Sequence, residues 1–170
     1  MKNEEVSRIG VIADSHDNMD LLERAVDLLV SEAVDLVLHA GDFISPLTAD
    51  PLSELQAELV GVFGNNDGDR LFLRRRFEEE GVGRIERGPH RLELGGRTVL
   101  LMHEPRLLEV METSPVPDLI VYGHTHEVDV RDGKPLVVNP GEVGGWLTGR
   151  STVGLVDLEE MEAEIREIAD

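Results

Sequence analysis

Short apolar runs alternate with amphipathic stretches through the first half of the chain. Ser7–Ala13 is mostly apolar and stops at the polar turn Asp14-Ser15-His16-Asp17-Asn18. Leu21, Leu22, Ala25, Val26, Leu28 and Leu29 then recur at helix-face spacing, which predicts an amphipathic helix. Val34–Leu38 is a second apolar run, halted at His39-Ala40-Gly41-Asp42. Pro46–Leu55 reads as a short helix, and Glu58–Phe63 as a third strand ending at Gly64-Asn65-Asn66-Asp67. Leu71–Glu80 is helical, with three arginines and three glutamates placing opposite charges on neighbouring turns. Strands apolar on both faces that alternate with helices predict an α/β fold around a central sheet.

The second half reads differently. Arg91–Leu94 and Thr98–Met102 flank Gly95-Gly96, a hairpin signal. Leu119–Tyr122, Val128–Val130, Leu136–Val138 and Thr152–Val156 are further short strands, and the alternation over Met161–Ile168 suits a half-exposed edge strand. Gly133-Lys134-Pro135 and Gly141–Gly149 read as loops too short to link domains, and no repeat is present, so residues 1–170 are expected to form one domain.

Charge narrows the function. With 35 Asp+Glu against 16 Lys+Arg, the formal net charge is −19, which disfavours non-specific nucleic-acid binding. Lys2 and Lys134 are the two lysines among those 16 bases, and a lysine-poor, carboxylate-rich surface suggests adaptation to high salt. There is no cysteine, which removes disulfides, thiolate metal sites and Cys nucleophiles. No apolar run approaches the ~20 residues that span a bilayer, so no membrane association is expected. Met1–Glu5 lacks the apolar core of a signal peptide, and the expected location is the cytoplasm.

The chemistry collects where strands end. Asp14-x-His16, Gly41-Asp42, Gly64-Asn65-Asn66-Asp67, His103 and Gly123-His124-Thr125-His126 each follow an apolar run directly. Ligands of open α/β sheets bind outside the carboxyl ends of strands, so these groups are expected around one cavity. Nitrogen and oxygen donors without sulfur suit Mn²⁺, Fe, Zn²⁺ or Ni²⁺ better than Ca²⁺ or Mg²⁺. Asp14, His16, Asp42, Asn65, His103, His124 and His126 are too many for one ion that also admits substrate, whereas two ions sharing a carboxylate would use them all.

In this order, the five blocks resemble the signature of the calcineurin-like metallophosphoesterase superfamily, and the compact length resembles its small prokaryotic YfcE-like phosphodiesterase branch. The resemblance spans about residues 8–141. It implies a four-layer α/β/β/α sandwich with two divalent ions, Mn²⁺ first among the candidates. By that analogy Asp14, His16 and His126 hold one ion, Asn65, His103 and His124 hold the other, and Asp42 bridges. The implied activity is a phosphodiesterase acting on small phosphoesters or nucleotides through a metal-bridging hydroxide. A phosphomonoesterase or pyrophosphatase on the same site, and a partner-binding scaffold like the retromer subunit of this fold, are the alternatives.

The departures from the family pattern matter. Many members have Gly-Asn-His-Asp or Gly-Asn-His-Glu. Here Asn66 takes the place of that His, which makes Asn65 and Asn66 the candidate catalytic residues and Asn66 a candidate substrate contact. Asn donates a hydrogen bond but shuttles no proton near pH 7, so esters with good leaving groups are expected to be favoured. Asp67 would orient the absent His. Glu104 stands where Gly is usual, and Glu142, after Asn139-Pro140-Gly141, where Ser is usual. These two carboxylates are expected either near the mouth, disfavouring highly charged substrates, or facing solvent. His39 is expected to be buried and hydrogen-bonded, His90 to lie exposed in a loop, and Arg74–Arg76 to form a solvated helix face. Trp146 is a rim contact or a contact in a homo-oligomer.

Overall fold

In the computed structural model, residues 6–105 and 115–168 are described, so the reading of Met1–Glu5 lies outside them. Parallel strands β1 (Arg8–Ile12), β2 (Leu36–His39), β3 (Glu58–Val62) and β4 (Gly83–Glu86) form four strands of a six-stranded sheet. β10 (Thr152–Asp157) pairs antiparallel with β1, and β11 (Glu162–Glu167) with β10, giving the order β11-β10-β1-β2-β3-β4. The second sheet is built from β5 (His90–Leu94), β6 (Arg97–Leu101), β7 (Leu119–Val121), β8 (Val128–Arg131) and β9 (Leu136–Pro140), ordered β5-β6-β7-β9-β8. Three α-helices, α1 (Met19–Ser31), α2 (Ala49–Leu52) and α3 (Arg70–Glu79), and a 3₁₀ turn over Pro46–Thr48 complete the described elements.

Strand residues alternate between two cores because successive side chains point to opposite faces. Val11, Leu36, Leu38, Val60, Val62 and Val156 meet Leu92, Val99, Leu101, Val121 and Val138 of the second sheet. Ile12, Val37, Leu59, Ile85, Val153 and Leu155 point the other way, onto the helices. Burial on both faces is the reason these strands read as continuous apolar runs. α1 docks through Leu22, Ala25, Val26 and Leu29, and Asn18 caps it by accepting from Leu21 N–H. α3 docks through Leu73 and Phe77 and is capped by Asp69, which accepts from Phe72 N–H. The result is a mixed α/β arrangement of two face-to-face sheets flanked by helices, the layering that the family resemblance implies.

Four details differ from the sequence reading. β4 is not anticipated, because its four residues contain a single fully buried apolar side chain, Ile85, and carry no period. The helix expected over Pro46–Leu55 is a 3₁₀ turn, Pro46–Thr48, followed by one α-turn. The second strand starts at Leu36 rather than Val34 and includes His39. His90 is no exposed loop residue; it opens β5, half-buried, opposite Leu101. Arg74–Arg76 do form an outer face, with i,i+4 ion pairs to Glu78, Glu79 and Glu80.

Candidate metal centre

The seven candidate ligands lie beyond the carboxyl ends of β1, β2, β3, β6 and β7. Pairing continues past the strands. Asp14 N–H donates to Gly41 O (3.0 Å), His16 N–H to Asp42 O (3.1 Å), Gly123 N–H to His103 O (3.1 Å) and Gly144 N–H to Asp14 O (3.0 Å). The loops are thus locked to one another. Gly64 explains the glycine before Asn65: a Cβ there would fall 2.1 Å from Asp42 Oδ1 and 2.5 Å from Asp42 N. Five of the seven ligand candidates (Asp14, His16, Asp42, His124 and His126) have positive φ, between 45° and 72°. Backbone of this kind costs energy outside glycine and concentrates at functional sites, where it re-aims side chains.

Two groups of ligand atoms result; Asp42 Oδ2 lies near one histidine of each, and Asp14 is within reach of both. In the first, His16 Nε2 lies 3.5 Å from Asp42 Oδ2 and 3.8 Å from Asp14 Oδ1, and His126 Nε2 lies 3.8 Å from Asp14 Oδ1. In the second, His103 Nε2 lies 3.4 Å from Asp42 Oδ2 and 2.8 Å from Asn65 Oδ1. His124 Nδ1 lies 2.9 Å from that same amide oxygen and 3.2 Å from His103 Nε2. Donor atoms on an ion with bonds of about 2.1 Å stand about 3.0–3.4 Å apart; the second group lies near that spacing, and the first, at 3.5–3.8 Å, is wider and would contract onto an ion. The side chains fit such an ion on chemical grounds as well. Asp14 Oδ1 and His16 Nε2 are buried with no hydrogen-bond partner, a costly state for a carboxylate unless a cation meets it.

The ring nitrogens facing away from the cluster are held. His103 Nδ1 bonds Ala40 O at 2.8 Å and His126 Nδ1 bonds Glu142 Oε2 at 2.9 Å, which directs each Nε2 lone pair inward. Glu142 corrects the expectation of a mouth or solvent-facing carboxylate: it is fully buried. It also accepts from the N–H groups of Trp146 (3.0 Å), Leu147 (2.9 Å) and Thr148 (2.6 Å), and from Thr148 Oγ1 (2.8 Å). Burial raises its pKa, but His126 and the Thr148 donors prevail and hold it below the usual carboxylate value. The sequence signal for this role is Glu142-Val143-Gly144-Gly145, a carboxylate entering a turn rich in N–H donors.

Electrostatics follow the same geometry. For Asp42, burial opposes ionisation, yet His103 and the Asn66 amide groups hold its pKa well below the ordinary range. His16 is raised by Asp14, against burial, with Asp42 assisting. His103 is raised because the Asp42 carboxylate outweighs burial. Asn66 turns toward Asp42 rather than outward: its N–H donates to Oδ1 and its Nδ2 to Oδ2, both at 2.8 Å. Asp67 is buried and accepts from Gly64 N–H (2.7 Å) and Ile44 N–H (2.9 Å), bracing the loop. Asn139 Nδ2 ties the His124 loop to the end of β9 through Gly123 O (3.2 Å) and Thr125 Oγ1 (2.9 Å). His39 is buried and hydrogen-bonded as expected, to Ser15 Oγ and Gly41 N–H. Trp146 stands at the rim, with Nε1 donating to His16 O at 3.2 Å. Glu104 does lie at the mouth, on the wall of a cavity shared with Asn65 and His103.

Known proteins resemble this chain in sequence and fold. A phosphodiesterase of Methanocaldococcus jannaschii is 33% identical over 158 residues, covering 91% of this chain and 95% of that protein. The solved structure of an archaeal phosphodiesterase superposes with a TM-score of 0.87 at 31% identity, over 94% of this chain and 99% of that one. Escherichia coli YfcE, described as a phosphoesterase, shares the fold at a TM-score of 0.65 and 18% identity, over 95% and 100% of the two chains. Residues 8–161 match the calcineurin-like phosphoesterase superfamily domain. The chain belongs to the calcineurin-like phosphoesterase superfamily.

Proposed function

We propose that this protein is a metal-dependent phosphodiesterase that hydrolyses small phosphoesters or nucleotides at a centre for two divalent ions, Mn²⁺ first among them. The observation that carries this reading is Asp42 Oδ2, which lies 3.5 Å from His16 Nε2 and 3.4 Å from His103 Nε2 and so lies near one histidine of each ligand group. Asp14, His16 and His126 would hold one ion, and Asn65, His103 and His124 the other, with Asp42 between. Divalent ions in such a pair supply Lewis-acid stabilisation of charge on phosphorus and activate water near neutral pH.

The chain's own residues do the positioning. Ala40 O and Glu142 fix the ring orientations of His103 and His126, while Asn66 holds both oxygens of Asp42. For Asn66 to contact substrate, its side chain would have to leave Asp42. An amide exchanges no proton near pH 7, so the enzyme is expected to prefer esters with good leaving groups. A protein-interaction scaffold has no need for seven converging ligand side chains.

The test is hydrolysis of bis(p-nitrophenyl) phosphate after EDTA treatment and re-addition of Mn²⁺, Ni²⁺ or Zn²⁺. Turnover should vanish with the chelator and return with metal. No turnover with any ion would end the enzyme reading, and a His124→Ala variant with full metal-dependent activity would end the site assignment.

A further inference from the structure

A cavity of about 460 Å³ opens against Asn65 and His103, on the side of the second ligand group. This volume suits a small-molecule arm and is far larger than a bare phosphate needs. Its other walls are unlike the cluster. Phe63, Pro89 and Met102 supply apolar surface, and Arg70 is the one cation among the lining residues of a chain with net charge −19.

Arg70 is exposed, yet it is held in place. Its Nη2 donates to Gly64 O at 2.6 Å and its Nε to Asp67 O at 3.4 Å, while the guanidinium carbon sits 5.4 Å from the centroid of the Phe63 ring. That distance lies within cation–π range. Among the described residues Nη1 makes no hydrogen bond, so a donor remains for a ligand. A ring and a guanidinium brought together and fixed before binding form a platform for a flat π-system at low entropic cost.

We propose that this cavity binds a flat aromatic arm of the phosphoester, a nucleobase or an aryl group, and that Phe63 and Arg70 select it. The proposal rests on the phosphoesterase reading and adds the substrate class. It also assigns to Arg70 the substrate contact that the sequence suggested for Asn66, whose amide is engaged with Asp42.

AMP and ribose 5-phosphate share a phosphate and a sugar and differ by the base. Calorimetric titration of the Mn²⁺-loaded protein should show AMP binding about tenfold tighter. In Phe63→Leu and Arg70→Gln the two affinities should converge to within about twofold, through loss of AMP affinity alone. Melting temperatures check that both variants are folded. Because Phe63 is half-buried and Arg70 exposed, Arg70→Gln gives the answer even where Phe63→Leu does not fold. Equal binding of the two ligands by the wild type overturns the proposal, as does a preference that survives both substitutions. So does an Arg70→Gln variant that loses both ligands equally, which would assign Arg70 to the phosphate. Selective AMP binding without turnover of any ester would sink the enzyme reading and leave the subsite standing. Ester turnover with equal binding would do the reverse.

Discussion

Glu142→Gln replaces a buried carboxylate with an amide of nearly the same shape, so it separates charge from packing. The wild-type side chain accepts five hydrogen bonds, from His126 Nδ1, the N–H groups of Trp146, Leu147 and Thr148, and Thr148 Oγ1. An amide oxygen can take over the Leu147 and Thr148 donors on the Oε1 side. The amide NH₂ then faces Trp146 N–H and His126 Nδ1, where it can only donate. One buried N–H left unpaired costs about 1–3 kcal/mol of stability. His126 responds by accepting at Nδ1, which moves its proton to Nε2 and removes the lone pair that faces Asp14. Loss of such an orienting partner weakens metal binding by about 10–100-fold, or roughly 1.4–2.7 kcal/mol. Three measurements decide it: calorimetric Mn²⁺ titration of the metal-free protein, its melting temperature in EDTA, and the ring-nitrogen NMR shifts of His126. Thr148→Val is the control, since it removes a donor on the Oε1 side. It should cost about 1 kcal/mol of stability and leave Mn²⁺ affinity within about twofold. A folded Glu142→Gln protein with unchanged Mn²⁺ affinity and an unmoved His126 tautomer would refute the reasoning.

Three further outcomes follow from particular residues. Burial holds the His39 pKa at about 3 against 6.5 for the free side chain, so between those values the unfolded chain binds more protons and stability falls as pH falls. In EDTA, going from pH 7 to pH 4 should cost the wild type about 3 kcal/mol more than His39→Gln by denaturant titration, and equal losses would contradict this. Gly64→Ala drives a Cβ into Asp42 and should lower Mn²⁺ affinity by at least about tenfold, checked by the same calorimetry. With a net charge of −19, raising KCl from about 0.05 to 1 M should increase kcat/KM for an anionic diester by screening repulsion. A steady fall across that range would count against a salt-adapted surface.

The sequence by itself determined the class of fold and placed the candidate ligands at the strand ends. Both are written locally: apolar runs buried on two faces mark the strands, and polar residues placed directly after them mark the rim where ligands collect. Only the tertiary structure decided what each polar side chain does. Glu142 reads as a surface carboxylate until the loop carrying Trp146, Leu147 and Thr148 closes over it and the chain brings His126, 16 residues earlier, to its other side. Asn66 reads as a substrate contact until Asp42, 24 residues away, takes its amide. The cavity needs the end of β3, the start of α3 and the end of β6 together, so no single stretch of sequence announces it. Composition and period record which surfaces are buried. Hydrogen-bond partners across long loops, and backbone forced to positive φ at Asp14, Asp42 and His126, are fixed only when the sheets pack.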